Sequence, residues 1–525
     1  MRRTLLVVVA CAACGDEPPP LPDASLAGSL TIEPPTADLL VADGVPAAQA
    51  YVVTAHHDDG TTENVTGLAT LALANPQFGV ISGSTFVALG QGAGITTIQA
   101  TWNGATADAM VTVRVSGTRI EPGVPPDAPD RFDDATEDPA RAPTFVYPAD
   151  HVLVPPNLGQ LDVHWNDDDG NDLFRVMITN EYVDLRVYTT GVDQQTSTQF
   201  WTVMEPDEWY PLASSRDPLT VSLSGLSQAM PQTMGTATRT VDVTNEDARG
   251  GIYFWSTSQQ TIFRYDVGRP EVPPSRLFPS GTGPGGCIGC HTLSRDGTKI
   301  AMTVGGESGT GTVFDVATRT PVVPYSPPVG NWNFATFTPD GGELITAQSG
   351  VLTVRDADGG AILATLDLDP VQYATHPELS PDGTRLAYVE HPPESDIYPY
   401  QGSVIVRSYD VATRVVGPPT ALVPYDMTND IGSYYPSWSP DGQWLAVTRT
   451  SNGGSGYDNY SGRTWLVRAD GTGAPIELAI ANEVGDQCNS WARWVPFGQT
   501  FGASNEPLFY LTYSTRRRFG VRRPY

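Results

Sequence analysis

At 525 residues, with 59 acidic against 30 basic side chains and a net charge of −29, the chain is too long for one core. It is also too acidic to hold a nucleic acid or an anionic bilayer by charge. A prior of about 150 residues per domain suggests three or four units. The 52 glycines and 46 prolines demand frequent turns, while 40% hydrophobic residues still allow buried cores, so an all-β chain of many short strands is expected.

Residues 1–15, MRRTLLVVVACAACG, place two arginines before an apolar run and then small residues and cysteine, the order of a secretory signal. The segment resembles a bacterial lipoprotein signal, in which the cysteine after the small residues becomes the lipidated N-terminus. Cys14, after Ala12-Ala13, gives the usual signal length, with residues 1–14 as the signal; Cys11 fits the pattern too. An ordinary cleaved signal with incidental cysteines stays open. No other stretch is apolar enough to span a bilayer, so the expectation is an exported cell-envelope protein, periplasmic or at the outer membrane or cell surface, touching membrane only through its anchor.

Residues 15–24, GDEPPPLPDA, read as a Pro-rich tether. Over residues 25–117, alternating apolar runs are separated by Asp-Gly and Asn-Gly turns, the pattern of a small β-sandwich. Asp59-Gly60-Thr61-Thr62 and the segment 94–104 resemble the bacterial Ig-like modules of group 2, which implies a spacer or adhesive unit. His56 and His57 are adjacent on a strand and face opposite ways, so they read as solvated turn residues rather than metal ligands. Residues 118–143, rich in proline and acids, read as an extended, hydrated linker. A second β-sandwich is expected over 144–235, with LDVHW, LFRVMI, VDLRVY and LTVSLSG as strands. Its Asn166-Asp-Asp-Asp-Gly-Asn-Asp172 cluster reads as an acidic hairpin turn, because the glycine is misplaced for a calcium loop.

From residue 238 to 525 the chain repeats Ser/Thr-x-Asp-Gly before an apolar strand: at Ser294, Thr338, Ser380 and Ser439, with a decayed copy at Val495. Spacings of 44, 42 and 59 residues suit four-stranded blades in which the turn joins the innermost strand to the next. The copies, best in residues 438–447, resemble the WD40-like repeats of TolB-type β-propellers. Counting the strands at 251–267 as part of an early blade gives about six blades with the last one incomplete, so either N-terminal strands close the ring or the chain is truncated.

Cys287-Ile-Gly-Cys290-His291 abuts the first of these turns. Two thiols three residues apart can reach both vinyl groups on one edge of a haem while the next histidine meets the iron, so the motif resembles the attachment site of c-type cytochromes. The resemblance implies one covalent haem c, held by Cys287 and Cys290 with His291 as proximal ligand. A Cys287–Cys290 disulfide, and a zinc site completed by Cys488 and a distant histidine, stay open. Candidates for a sixth haem ligand are His376, Met302 and Met427. His376 reads first as a structural residue satisfying backbone groups, and Cys488 as a buried free thiol.

No hydrolase elbow, phosphate loop or zinc-protease helix is present, so an electron carrier or binding protein is expected rather than a hydrolase. The leading expectation is electron transfer or redox sensing with a basic envelope partner; the alternative is a haem-free propeller binding proteins, peptides or glycans. An oxidoreductase using the haem on a small substrate is a third reading. The arginines at 516–518 and 522–523 read as solvated loop.

Overall fold

The structure is a computed structural model that describes residues 28–191, 199–269, 272–278, 287–306, 309–325, 330–369, 373–393, 395–482, 488–502, 504–517 and 520. Cys11, Cys14, the tether and the glycine-rich approach at 281–286 lie outside the described residues. The described chain is all-β apart from short helices and divides into two compact units, with the boundary between residues 116 and 117.

In the first unit, strand Gly94–Trp102 buries every second residue, as a half-buried strand must. It turns at Asn103-Gly104, both at positive φ, into a strand beginning at Ala105. Thr36–Ala42 lies parallel to that strand. Two three-stranded sheets complete the unit, Ser29–Glu33 with Val52–His56 and Thr62–Asn64, and Ala47–Ala50 with Thr85–Ala88 and Gly79–Ser82. Val53, Phe86, Ile98 and Val111 form its core. His56 meets Thr31, whereas His57 meets Glu63 and the Trp102 ring.

The second unit begins with a departure from expectation. Residues 118–143 are not an extended, hydrated linker. They carry a helix, Ala128–Asp134, whose Ala128 and Phe132, one turn apart, are buried with Val124 against Leu173, Tyr188 and Leu226. The acids occupy the outer face; composition alone hid an amphipathic turn. Thr136–Glu137 then pairs with the long strand Met230–Val243. That strand also runs through residue 235, where the second domain was expected to end.

Residues 144–243 form two facing sheets. Thr144–Tyr147, Leu161–Asn166 and Gln199–Met204 make one; Leu173–Thr179, Val183–Thr189, Leu219–Ser227 and Met230–Val243 belong to the other. The Trp165 and Phe174 rings, 5.0 Å apart, join them. The acidic cluster 166–172 is therefore no hairpin turn: it arches from one sheet to the other. Buried Asp167 accepts from the backbone and side-chain amides of Asn171 at 2.9 and 2.6 Å.

A series of antiparallel sheets follows. Gly251–Ser256, Thr261–Asp266 and Ser275–Arg276 form the first. Full blades begin at the inner strands Ile288–Leu293, Phe334–Phe337, Tyr373–Leu379 and Gly432–Trp438. The last inner strand, Ser490–Trp494, pairs with Leu511–Ser514. Each inner strand from Ile288–Leu293 onward packs on the next, the arrangement of a β-propeller.

The repeated turn explains why these blades form. In all four regular copies the first hydroxyl donates to the Asp carboxylate at 2.5–2.6 Å, and the glycine stands at φ of 68–73°, where a side chain is strained. The same hydroxyl accepts the amide five residues on at 2.9–3.0 Å. At Val495 neither hydroxyl nor Asp is available, and the strands beside that turn form two separate two-stranded pairs. This last sheet bonds back to residues 244–247, through Thr500 to Glu246, Gln499 to the Asp247 carbonyl and Tyr510 to Thr244.

Candidate functional site

The inner strands share a second local device within the strand, before the turn. Pairing slips between Gly289 and Thr292, Thr375 and Glu378, Tyr434 and Ser437, and Ser490 and Arg493. Inside each slip one residue adopts positive φ: Cys290 at 43°, His376 at 48°, Tyr435 at 52° and Trp491 at 56°. Each stands four residues before the start of its turn, as does Phe334 in the strand without a slip. A non-glycine residue in this region costs roughly 1–3 kcal/mol, so its recurrence in four strands marks a backbone held by its surroundings.

The five positions converge. The His376 ring lies 4.3 Å from Phe334 and 4.1 Å from Tyr435, and Tyr435 lies 4.6 Å from Trp491. Phe334 also approaches Trp491 at 6.2 Å, which closes the circuit, and Cys290 packs against the same cluster. The rings thus fill the middle of the blade array, and the second thiol of the Cys-x-x-Cys-His motif is one member of that ring.

His376 does not satisfy backbone groups, as its place before the turn suggested. It is 4% exposed, and both ring nitrogens lack a hydrogen-bond partner among the described residues, as does the hydroxyl of Tyr435. Burial, with His391 and Arg493 nearby, holds the His376 imidazole well below its usual range, so it is neutral at pH 7.

His291 leaves the ring. One residue beyond Cys290, its Nε2 lies 3.3 Å from the Tyr253 carbonyl oxygen on the preceding sheet. Burial lowers its pKa to about 4, against the raising effect of that carbonyl, so this imidazole is also neutral at pH 7. Cys287 is half-buried; its carbonyl accepts from Gly305 at 2.8 Å, and burial raises its thiol pKa. Cys287, Cys290 and Cys488 are unbridged thiols.

Cys488 stands seven residues before Val495, as Cys287 stands seven before Ser294, so the repeat gives the first and last of these turns equivalent thiols. It is 5% exposed, donates to Asp458 at 3.7 Å, and has its pKa pushed up to about 11, chiefly by burial. Among the described residues, no three His, Cys, Asp or Glu side chains are grouped to hold a metal ion.

The two methionines lie elsewhere. Met302 is fully buried among Ile262, Leu277 and Phe314 between sheets, and Met427 is 84% exposed on a turn. The arginine tail is also not simply solvated: Arg516 pairs with Asp458 and Arg517 donates to the Tyr513 hydroxyl, while residues 518, 522 and 523 lie outside the described residues.

Two features were not anticipated from sequence. One is the ring partners Phe334, Tyr435 and Trp491. The other is the Glu378–Arg493 ion pair at 2.8 Å, two residues before each turn, in which burial raises the Glu378 pKa against the pull of Arg493. Aligning the copies on their turns exposes both columns.

No protein-family model matches the chain, and no curated protein matches it. Among solved structures it is similar to a putative TolB from Agrobacterium tumefaciens, at 12% identity over 52% of this chain and 80% of that one, with a TM-score of 0.31. It is similar to TolB from Acinetobacter baumannii at 14% identity over 69% and 92% of the two chains, TM-score 0.28. It is also similar to the Swd1 β-propeller domain of Myceliophteria thermophila at 14% identity over 56% and 92%, TM-score 0.30. Such likeness concerns the fold alone, and the propeller assignment stands on the strand pairings.

Proposed function

We propose that this is an exported protein, anchored through a lipid on Cys14 or alternatively Cys11, whose propeller of six sheets carries one covalent c-type haem. Its role is electron transfer or redox sensing in the cell envelope. Cys287 and Cys290 would hold the porphyrin by thioether bonds, and His291 would be the proximal ligand. When bound, such a haem supplies one-electron exchange at iron.

The observation that carries this reading is the donor set on the first full blade: two unbridged thiols at the attachment spacing followed by an imidazole that burial keeps neutral, its ligating form. For Nε2 of His291 to serve as ligand, its contact with the Tyr253 carbonyl has to open. Of the three candidates for a further haem ligand, His376 is favoured. It shares the ring with Cys290 and its nitrogens lack a partner among the described residues, whereas Met302 is held in a core between sheets and Met427 projects into solvent. The acidic chain favours a basic redox partner.

The test is an absorption spectrum, oxidised and reduced, with the denatured mass, of protein exported in a host that matures c-type cytochromes. Sharp reduced bands and a covalent haem mass are expected, and His376→Ala should alter the bands while Met302→Leu and Met427→Leu leave them unchanged. A colourless chain lacking only two hydrogens relative to its reduced form overturns the reading.

One observation favours a second reading, a haem-free propeller that binds proteins, peptides or glycans: the middle of the blade array is already filled by rings in contact. It expects a colourless, folded protein.

A further inference from the structure

The loops that join outer blade strands are unequal. Glu343–Gln348 passes to Val351–Asp356 through two residues, 349–350. The next two blades carry long insertions at the same place: residues 392–402 between Arg385–His391 and Ser403–Asp410, and 451–462 between Trp444–Thr450 and Arg463–Arg468. Neither insertion extends the sheets, and each adds surface at the end of the propeller from which the inner strands start.

The two insertions are built onto each other. The Tyr398 and Tyr457 rings meet edge to face at 5.4 Å, and the Gln401 amide donates to the Gly453 carbonyl at 3.3 Å. Within the second loop, Asn459 accepts from the amide and hydroxyl of Ser461 at 3.0 and 2.8 Å and donates to the Ser455 carbonyl at 3.1 Å. Ser451 donates its amide to Ser461 at 3.0 Å, and Tyr457 rests edge-on against Trp491 of the central ring at 5.9 Å. Such internal bonding fixes the loop before any ligand arrives, which lowers the ordering cost of binding.

Together the loops line an open surface cavity of about 610 Å³ whose walls include Tyr400, Tyr457, Tyr460, Ser451, Asn452 and Asn459. Tyr400 is 48% and Tyr460 54% exposed. The second loop, SNGGSGYDNYSG, is almost wholly tyrosine, serine, glycine and asparagine, the composition of antibody binding loops. In such loops tyrosine supplies rigid amphipathic contact and the small polar residues supply adaptable hydrogen bonds.

The charge in the wall is already matched. Asp458 pairs with Arg516 at 2.5 Å, and the same guanidinium lies 4.6 Å over the Tyr460 ring. An anionic ligand would have to displace that pair, and an apolar ligand would strand amides and hydroxyls without partners. A neutral, hydroxyl-rich molecule with apolar faces matches both properties: its C–H face lies on a tyrosine ring while amides and hydroxyls bond its rim.

We infer that this cavity is a binding site for an uncharged oligosaccharide. Tyr400, on the first insertion, is the stacking platform, and Asn452 and Ser451, on the second, are hydroxyl-bonding groups. The site is separate from the haem proposed above, and its test reads the same on red or colourless protein.

The test is calorimetric titration of the full mature chain with chitotetraose, maltotetraose and cellotetraose, and with an uncharged blocked tetrapeptide. Saturable binding of at least one oligosaccharide in the micromolar to millimolar range is expected, weakened at least about tenfold by Tyr400→Ala and within about threefold of wild type in Tyr400→Phe. Because Tyr400 is half exposed, an unchanged melting temperature shows that the variants are folded. No saturable binding of any of the three up to about 10 mM, binding of the peptide alone, or binding indifferent to Tyr400→Ala overturns the inference.

Discussion

The turn and the mid-strand bulge of the inner strands follow opposite rules. At the turn end, four copies repeat both backbone and side chains: hydroxyl, carboxylate and glycine recur with the same bonds within five residues. In mid-strand the left-handed bulge recurs, but the residue in it changes from Cys290 to His376, Tyr435 and Trp491. A repeat that keeps a costly backbone and varies what it displays uses that backbone to present side chains. The turn holds each blade together, and the bulge makes the blades different.

The comparison breaks first at the ring. Tyr435→Ala should lose about 3–5 kcal/mol in denaturant unfolding, as large aromatic truncations in cores do, because three other rings rest on this cluster. A loss below about 1 kcal/mol would mean that the ring is not a core.

His291 sharpens the comparison through pH. Its folded pKa of about 4 lies below the ordinary 6.5, so the unfolded chain binds the extra proton between those values. Its contribution to stability is present above about pH 6.5 and fades as pH falls toward 4, a change of up to about 3 kcal/mol. Unfolding midpoints of haem-free protein from pH 7 to 4 should show a slope that His291→Gln reduces, the buried His376 contributing a remainder of the same sign.

The turn end should respond more mildly. Ser439→Ala removes the acceptor of the Trp444 amide and the donor to Asp441, and should cost about 1–2 kcal/mol in thermal or chemical unfolding. Smallest of all is Tyr435→Phe. Because the hydroxyl is buried without a partner among the described residues, its removal should leave stability within about 1 kcal/mol of wild type or raise it, and a larger loss would reveal a bond to that oxygen.

The same contrast explains what could be read from sequence. The turns were legible because their bonds are local, so residue type and spacing carry the whole geometry. The ring was not, because Phe334, His376, Tyr435 and Trp491 meet only after separate blades assemble, and no local pattern distinguishes a ring-facing His376 from one that satisfies backbone groups. Composition misled at 118–143, where Ala128 and Phe132 form a narrow buried stripe beneath prolines and acids. It misled again at Asp167, whose buried carboxylate serves an arch between sheets rather than a hairpin. The Cys-x-x-Cys-His motif was legible as a string, but its division between a ring-facing Cys290 and an outward-turned His291 depends on the bulge.

Joining Thr500 to Glu246 spans 254 positions of chain. Contacts so distant in sequence form late, because the loop they close carries an entropic cost that blades built from neighbouring hairpins do not face. Assembly should therefore begin in the regular blades and finish at this seam. A protease that nicks the last sheet would then release the seam while leaving the regular blades folded, and limited digestion would show the seam as the least protected part of the ring.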